Sequence, residues 1–486
     1  MGVLLAPYTD AMSRTFHIRT FGCQMNEHDS ERIAALLMAD GLEPTDDVSR
    51  ADVVVLNTCC IRENVDDSLY GHLGALKALH ETRPGMQIAV GGCLAQKDRD
   101  IVRERASHVD VVFGTHNLAR APYLLREAAK SGPVVEVIDA PLPAGDPAEV
   151  RGLEAVRESP CSAWVTIQTG CDNSCAFCIV PQVRGREVSR PFDELVAEVE
   201  ALVSRGVSEI TLLGQNVNSY GRDITHRRPL FADLLRALGA IEGIKRVRFT
   251  SPHPKDLRPE TIAAMAETQA VCEHLHLPLQ AGSDRMLAAM RRGYTAERYL
   301  SRLGAARAAV DDLAVTTDVI VGFPGETDDD FERTLEVVAE AKYDSAYTFV
   351  FSARPGTRAA SMQDHFVPEE VVAERFECLR VVVERSALAR HAARVGKVEE
   401  VLVEGPSKRD ASMLSARTRQ NKLVHFSPET ARWGISDPVS AGSYAMVSIT
   451  GAAPHYLRAE LLGTTEPRPF ATGPRRYRRF LAVSAG

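Results

Sequence analysis

No apolar run in the 486-residue chain approaches the roughly 18 residues needed to cross a bilayer, so no membrane partner is expected. The first dozen residues lack a basic stretch ahead of an apolar one. That predicts no signal peptide, with Met12 as a second candidate start. Positive charge is not in surplus either: 57 Lys and Arg against 65 Asp and Glu leave a net charge of −8. That balance argues against a DNA-coating, histone-like protein, but it leaves room for a local basic face. No repeat of 20–50 residues is visible. With 45% hydrophobic and 25% charged residues, whole-chain disorder and fibrous repeats are excluded. At about 150 residues per domain, the length suggests roughly three domains.

Cysteine, in contrast, is plentiful, with ten in the chain. Without an export signal these point to the reducing cytoplasm, where clustered cysteines hold metal or do chemistry more often than they form disulfides. Strand-like runs at 16–21, 52–56 and 87–90 alternate with helical spacing at 29–39 and 66–79. This alternation predicts an N-terminal parallel α/β sheet domain over 14–130. A segment rich in Pro and Gly follows, and 131–156 reads as a linker. Alternation resumes with strands expected at 163–168, 209–213, 246–250, 274–278, 314–321 and 346–351. Six βα units predict an α/β fold built on a central partial (β/α)6 barrel over 157–388, with its chemistry at the C-terminal strand ends. Short β-like runs at 398–403, 423–426, 445–449 and 457–461 predict a small C-terminal all-β barrel within 389–465. The tail, 466–486, carries five arginines and one glutamate.

Cys171, Cys175 and Cys178 stand within eight residues, just past the first barrel strand. Asp172, Asn173 and Ser174 between them are turn formers, so the loop can wrap a compact object. Three thiolates suit three irons of one cube, with the fourth iron open to an exogenous group. The alternatives are incidental thiols or a zinc site completed from afar. Cys23, Cys59 and Cys93 are separated by 36 and 34 residues, and each follows a predicted strand. Parallel strands bring their C-terminal ends to one edge, so the three should converge there. Gly22, Gly91 and Gly92 accompany them and let the backbone approach a cofactor. A second iron–sulfur cluster is the expectation, with three buried core cysteines as the alternative. Cys60, Cys161, Cys272 and Cys378 show no such pattern and read as structural. Adjacent side chains on an extended stretch point apart, which sets Cys60 aside from Cys59.

The string Cys171-x-x-x-Cys175-x-x-Cys178 ahead of a β/α barrel resembles the radical S-adenosylmethionine superfamily. The resemblance implies that these thiolates hold a 4Fe–4S cluster. Its open iron would bind S-adenosylmethionine, which one-electron reduction cleaves to a 5′-deoxyadenosyl radical. Phe177 matches an aromatic position that lies against the adenine. Further stretches are similar to the methylthiotransferases of that superfamily: Thr20-Phe21-Gly22-Cys23-Gln24-Met25-Asn26, Asn57-Thr58-Cys59-Cys60-Ile61-Arg62-Glu63 and Gly91-Gly92-Cys93. So are Gly214-Gln215-Asn216-Val217-Asn218-Ser219-Tyr220, His276-Leu277-Pro278-Leu279-Gln280 and Asp318-Val319-Ile320-Val321-Gly322-Phe323-Pro324-Gly325. Within the family, the stretch from Asn57 to Glu63 most resembles the synthases that make 2-methylthio-N6-isopentenyladenosine in tRNA. Cys60 and Ala281 depart from its usual residues. The superfamily motif that would assign Glu326 a contact is imperfect, so none is assigned.

At the barrel mouth, Gln215, Asn216, Gln280, Ser283 and Asp318 are candidates for binding the cofactor or the base, or for stabilising loops. Arg184, Arg186 and Arg190 suit a carboxylate, RNA phosphates or a solvated basic stretch. The resemblance makes the C-terminal barrel a TRAM-like, RNA-binding domain. In it, Arg417, Arg419, Lys422 and Phe426 mix cations with a stacking aromatic, as expected for RNA contacts. The local charge is +2 over 394–465 and +6 with the tail. The resemblance thus implies an enzyme that replaces C2–H by a methylthio group on isopentenyladenosine beside the tRNA anticodon. It would use two 4Fe–4S clusters facing one chamber, two S-adenosylmethionines per turnover and a reducing electron donor. Its partner would be the isopentenylated anticodon stem-loop. Ribosomal-protein aspartate and tRNA threonylcarbamoyladenosine methylthiotransferases are the alternatives.

Overall fold

The computed structural model describes residues 14–60, 65–139, 156–157, 159–428 and 439–465. The Arg62 and Glu63 of the cysteine motif, most of the expected linker and the basic tail lie outside the described residues. The chain divides into two compact units. One comprises residues up to 157 with 179–185, and the other comprises 158–178 and 186 onward.

The first unit is a six-stranded parallel sheet. Its strands are β1 (Thr15–Thr20), β2 (Glu43–Pro44), β3 (Val53–Thr58), β4 (Gln87–Gly92), β5 (Val111–Phe113) and β6 (Val134–Glu136), in the order β2-β1-β3-β4-β5-β6. β3 and β4 are buried on both faces, which is why they read as unbroken apolar runs. Side-chain alternation splits the core in two. Val54, Leu56, Ile88 and Val90 pack on one face, and Val53, Val55 and Ala89 on the other. β6 falls where the sequence suggested linker. Three residues are too few to show a strand period, and Pro133 masks the start.

The second unit opens with β7 (Ser162–Thr166), the short antiparallel pair β8 (Gln168–Thr169) and β9 (Val188–Ser189), then β10 (Glu209–Leu213) and β11 (Arg246–Phe249). It continues with β12 (His274–His276), β13 (Ala314–Val321) and β14 (Ser345–Val350). Parallel pairing runs β7-β10-β11 and β12-β13-β14, with a bridge from Val247 to Val271 between the two sets. This is the expected partial barrel of six parallel strands, wrapped by helices such as Phe192–Val203, Ala296–Ala309 and Asp328–Ala341. The last of these starts from a reciprocal capping box between Thr327 and Asp330.

The long helix Glu369–Ala392 leads into a closed five-stranded barrel of β15 (Val398–Pro406), β16 (Leu414–Thr418), β17 (Leu423–Phe426), β18 (Tyr444–Ala452) and β19 (Leu457–Thr464). Arginines from β11 hold this barrel to the larger one. Arg246 is fully buried and bonds Arg417 O at 2.9 Å and Glu400 Oε1 at 3.1 Å. Arg248 reaches Thr418 O at 2.9 Å and Arg419 O at 3.0 Å.

Two buried histidines tie this unit to pH. Burial first, then nearby cations, push His253 down to about 2 and His391 to about 4. Unfolded histidine protonates near pH 6.5, while these stay neutral in the fold. The unfolded state therefore binds more protons below 6.5, and stability falls as pH drops toward 4. At pH 5 each costs about 2 kcal/mol relative to pH 7. His391 Nδ1 bonds Ala453 O at 2.6 Å, so His391→Asn keeps a donor and loses the titration. Thermal melts from pH 7 to 5 should show a shallower decline for this variant, and an unchanged slope would contradict the assignment.

Candidate iron–sulfur centres and barrel mouth

In the first unit, Cys23 precedes the helix Gln24–Ala39, Cys59 follows β3, and Cys93 opens the helix Cys93–Asp98. Because β1, β3 and β4 are parallel neighbours, all three thiols stand at the C-terminal edge of the sheet. The backbone is shaped to bring them together. A Cβ on Gly22 would lie 2.3 Å from Cys59 Cβ, and one on Gly92, at φ +94°, only 2.4 Å from Thr58 O. Asn26 and Asn57 brace this edge, through Asn26 Nδ2 to Thr58 O at 3.0 Å and Asn57 Nδ2 to Asn26 O at 2.8 Å.

Arg184 sits against this group, buried and paired with Asp29 at 2.8 Å. A hydrogen bond with Cys59, then the Arg184 charge and backbone N–H groups, outweigh burial and hold Cys23 down to about 6. Cys93 is held low by Cys60 first, with Arg184 contributing. A solvated basic stretch is among the roles the sequence allows Arg184, but the structure buries it against thiols. The hint in the sequence was its position in a helical turn, Val180–Arg184, with apolar Ile179 and Val183 that pack into the core. Cys60, just past the end of β3, hydrogen-bonds through its side chain with Cys93 rather than with its neighbour Cys59.

In the second unit, the loop after β8 carries Cys171, buried, and Cys175 and Cys178, half-buried. Ala176 N bonds Met290 O at 3.0 Å, and Ala359 N bonds Ala176 O, which fixes the loop at the strand ends. Asn173 N donates to Cys171 Sγ at 3.4 Å, and Lys255 bonds Asn173 Oδ1. Phe177 is half-buried against the barrel core. Among the described residues, no three His, Cys, Asp or Glu side chains converge on a single metal ion. A lone zinc, with bonds of about 2.3 Å, needs such convergence, whereas a cube offers each thiolate its own iron. Three thiols are the donor set that such a cube takes, and those of the first triad lie on closely approached backbone.

The barrel interior divides the remaining candidates. Asn216 is buried, with Nδ2 on Asp256 at 2.9 Å and Oδ1 accepting from His253 N, so it stabilises its loop. Ser283 caps the helix Asp284–Ala289 and donates to Asp330 at 2.5 Å, so its hydroxyl is engaged. Gln215 is half-exposed. Gln280 differs: it holds φ +71°, and its Oε1 is buried without a hydrogen-bond partner. Gln168 Oε1 is orphaned as well. A strained backbone and unpaired buried acceptors at strand ends suit a ligand carrying donors. Asp318 lies 3.5 Å from His276 Nε2. Tyr347, paired with Asp318 across β13 and β14, stacks edge-on to His276 at 6.3 Å and is 60% exposed. Phe349 shares that face and is also exposed. Sequence reasoning missed both aromatics, since their strand reads as core. Glu326 bonds Gly322 N and Arg375, a structural role.

Three of the expected RNA contacts are corrected. Phe426 is fully enclosed in the small-barrel core and offers no stacking face. Lys422 is buried with Nζ on Asp344 at 2.6 Å. Arg419 is spent on Glu273 at 2.8 Å and on the carbonyls of Gln269 and Val271. Lys422 and Arg419 hold the two barrels together, which a local charge count cannot distinguish from a nucleic-acid face. Arg417 remains at the surface, beside Glu404.

A parallel βα barrel with three cysteines on the loop entering it defines a radical S-adenosylmethionine protein. The radical SAM superfamily model matches residues 165–338, an uncharacterized protein family, UPF0004, matches 15–114, and the TRAM domain matches 392–462. The chain is 50% identical, over 93% of its length and 86% of the relative, to tRNA-2-methylthio-N(6)-dimethylallyladenosine synthase 1 of Mycobacterium marinum. It is 52% identical to the synthase of Streptomyces viridosporus, over 92% of this chain and 87% of that one. The chain belongs to this synthase family, within the radical SAM methylthiotransferases. A solved radical S-adenosylmethionine methyltransferase, TsrM of Kitasatospora setae, shares the fold at a TM-score of 0.51 and 15% identity, over 72% of this chain and 77% of that one.

Proposed function

We propose that this enzyme replaces C2–H of N6-isopentenyladenosine, at position 37 beside the tRNA anticodon, with a methylthio group. The observation that carries the reading is the gathering of Cys23, Cys59 and Cys93 at one sheet edge, in a chain that also bears the Cys171, Cys175 and Cys178 loop. Each triad holds a 4Fe–4S cluster in this reading. When bound, the clusters and two S-adenosylmethionines supply an electron, radical chemistry, sulfur and a methyl group.

The chain's own side chains do the rest. Gly22 and Gly92 give the first triad its close backbone, and Arg184 offsets the charge of its thiolates. Gln168 and Gln280 present unpaired acceptors inside the barrel. Reaching C2 requires the adenine to leave the stack of the anticodon loop. Tyr347 offers the extruded base an aromatic face, beside the polar pair Asp318 and His276. Stacking of this kind is worth about 1–3 kcal/mol. Tyr347→Ala should therefore weaken binding of the modified stem-loop about 5- to 150-fold, with uncoupled cofactor cleavage retained. Unchanged affinity would remove Tyr347 from the base site.

The function is tested by incubating anaerobically reconstituted enzyme, dithionite and S-adenosylmethionine with three substrates: isopentenylated stem-loop, threonylcarbamoylated stem-loop and ribosomal protein. Methylthiolation of the isopentenylated RNA is expected. Thiomethylated protein, or only the threonylcarbamoyl product, would overturn it.

A further inference from the structure

Arg292 is 5% exposed, in the turn between the helices Asp284–Ala289 and Ala296–Ala309. Its Nη1 donates to Cys175 Sγ at 3.2 Å. Nε reaches Tyr294 Oη at 3.2 Å, and Nη2 reaches Pro278 O at 3.5 Å. Tyr294 is itself fixed by Leu279 O at 2.8 Å and lies edge-on to His253, which burial keeps neutral. None of these hydrogen bonds goes to a carboxylate. A guanidinium buried this deeply demands an anionic partner, and the one its geometry offers is sulfur. A thiol is a poor acceptor, but a thiolate answers both the charge and the hydrogen bond.

We propose that Arg292 is a positioning residue that fixes the Cys175 thiolate and raises the reduction potential of the cluster held there. The inference rests on the reading that Cys171, Cys175 and Cys178 ligate a 4Fe–4S cluster. Hydrogen bonds to cluster sulfurs and nearby positive charge favour the more negative, reduced form. The chemistry needs a cluster that accepts an electron inside a buried pocket, and Arg292 eases that step without touching the substrate.

The test compares wild-type, Arg292→Lys and Arg292→Gln holoenzymes by iron and sulfide content, by EPR-monitored redox titration and by S-adenosylmethionine binding. The signal that changes on adding S-adenosylmethionine identifies the cluster to follow. Arg292→Gln should hold its iron but be at least tenfold less reduced at a given potential, a downward shift of about 59 mV or more. Arg292→Lys should fall between. An unchanged potential with full iron overturns the inference. So does weaker S-adenosylmethionine binding alone, which would place the guanidinium on the cofactor instead. Absence of iron on the wild type would overturn the cluster reading itself, a separate failure. Should Arg292→Gln hold no iron, wild-type holoenzyme labelled with 15N in its arginine guanidinium groups decides. Pulsed EPR of the reduced cluster should show a weakly coupled 15N nucleus, and its absence overturns the inference.

Discussion

Cys23→Ala is expected to go on making 5′-deoxyadenosine while losing every methylthiolated nucleoside. The two activities separate because they depend on different triads. Cys171, Cys175 and Cys178 lie in another compact unit of the chain, so cofactor cleavage has no need of Cys23. The triad at the sheet edge has only three thiols in register at the ends of β1, β3 and β4, and loss of one opens a second corner. Cys60 does not replace it, since its thiol bonds Cys93 rather than occupying the end of β1. Cys60→Ser, which keeps a small hydrogen-bonding side chain there, should keep both activities. Mass spectrometry of nucleosides and chromatography of 5′-deoxyadenosine read both outcomes. Methylthiolated RNA from Cys23→Ala would end the sulfur-donor role of this triad.

Arg184→Leu should bring down the first unit. Arg184 and Asp29 are 5% and 7% exposed, and their bond is 2.8 Å long. Removing the guanidinium leaves a buried carboxylate uncompensated, at a cost of about 3–5 kcal/mol. That is a large part of the roughly 5–15 kcal/mol that holds a domain folded. It also withdraws a cation from Cys23 and Cys93, which must be thiolates to ligate iron. The double variant Arg184→Leu/Asp29→Asn separates the two effects: stability should largely return, because no orphan charge remains, but iron at this triad should stay low. Denaturant melts and iron content check this. A wild-type midpoint for Arg184→Leu would mean that the pair carries no such weight.

How much of this was legible beforehand follows from what each residue's neighbours are. The convergence of Cys23, Cys59 and Cys93 was readable because parallel topology alone brings strand ends to one edge. The six-stranded barrel was readable because its buried strands alternate with amphipathic helices. β5, β6 and β16 were not anticipated, being three to five residues long. Lys422 and Phe426 were misjudged because their partners lie far off in sequence: Asp344 for one and the closed small-barrel core for the other. The same distance hid Arg292, whose link to Cys175 spans 117 residues. Tyr347 was overlooked for the opposite reason: its strand reads as apolar core, yet Tyr347 and Phe349 stay exposed.

The measurement that bears most directly on the account is iron and sulfide analysis of the anaerobically reconstituted full-length protein beside a Cys23→Ala/Cys59→Ala/Cys93→Ala variant. Two cubes require about eight irons per wild-type chain and about four in the variant. About four in both would leave the sheet-edge thiols without a cluster and contradict the account.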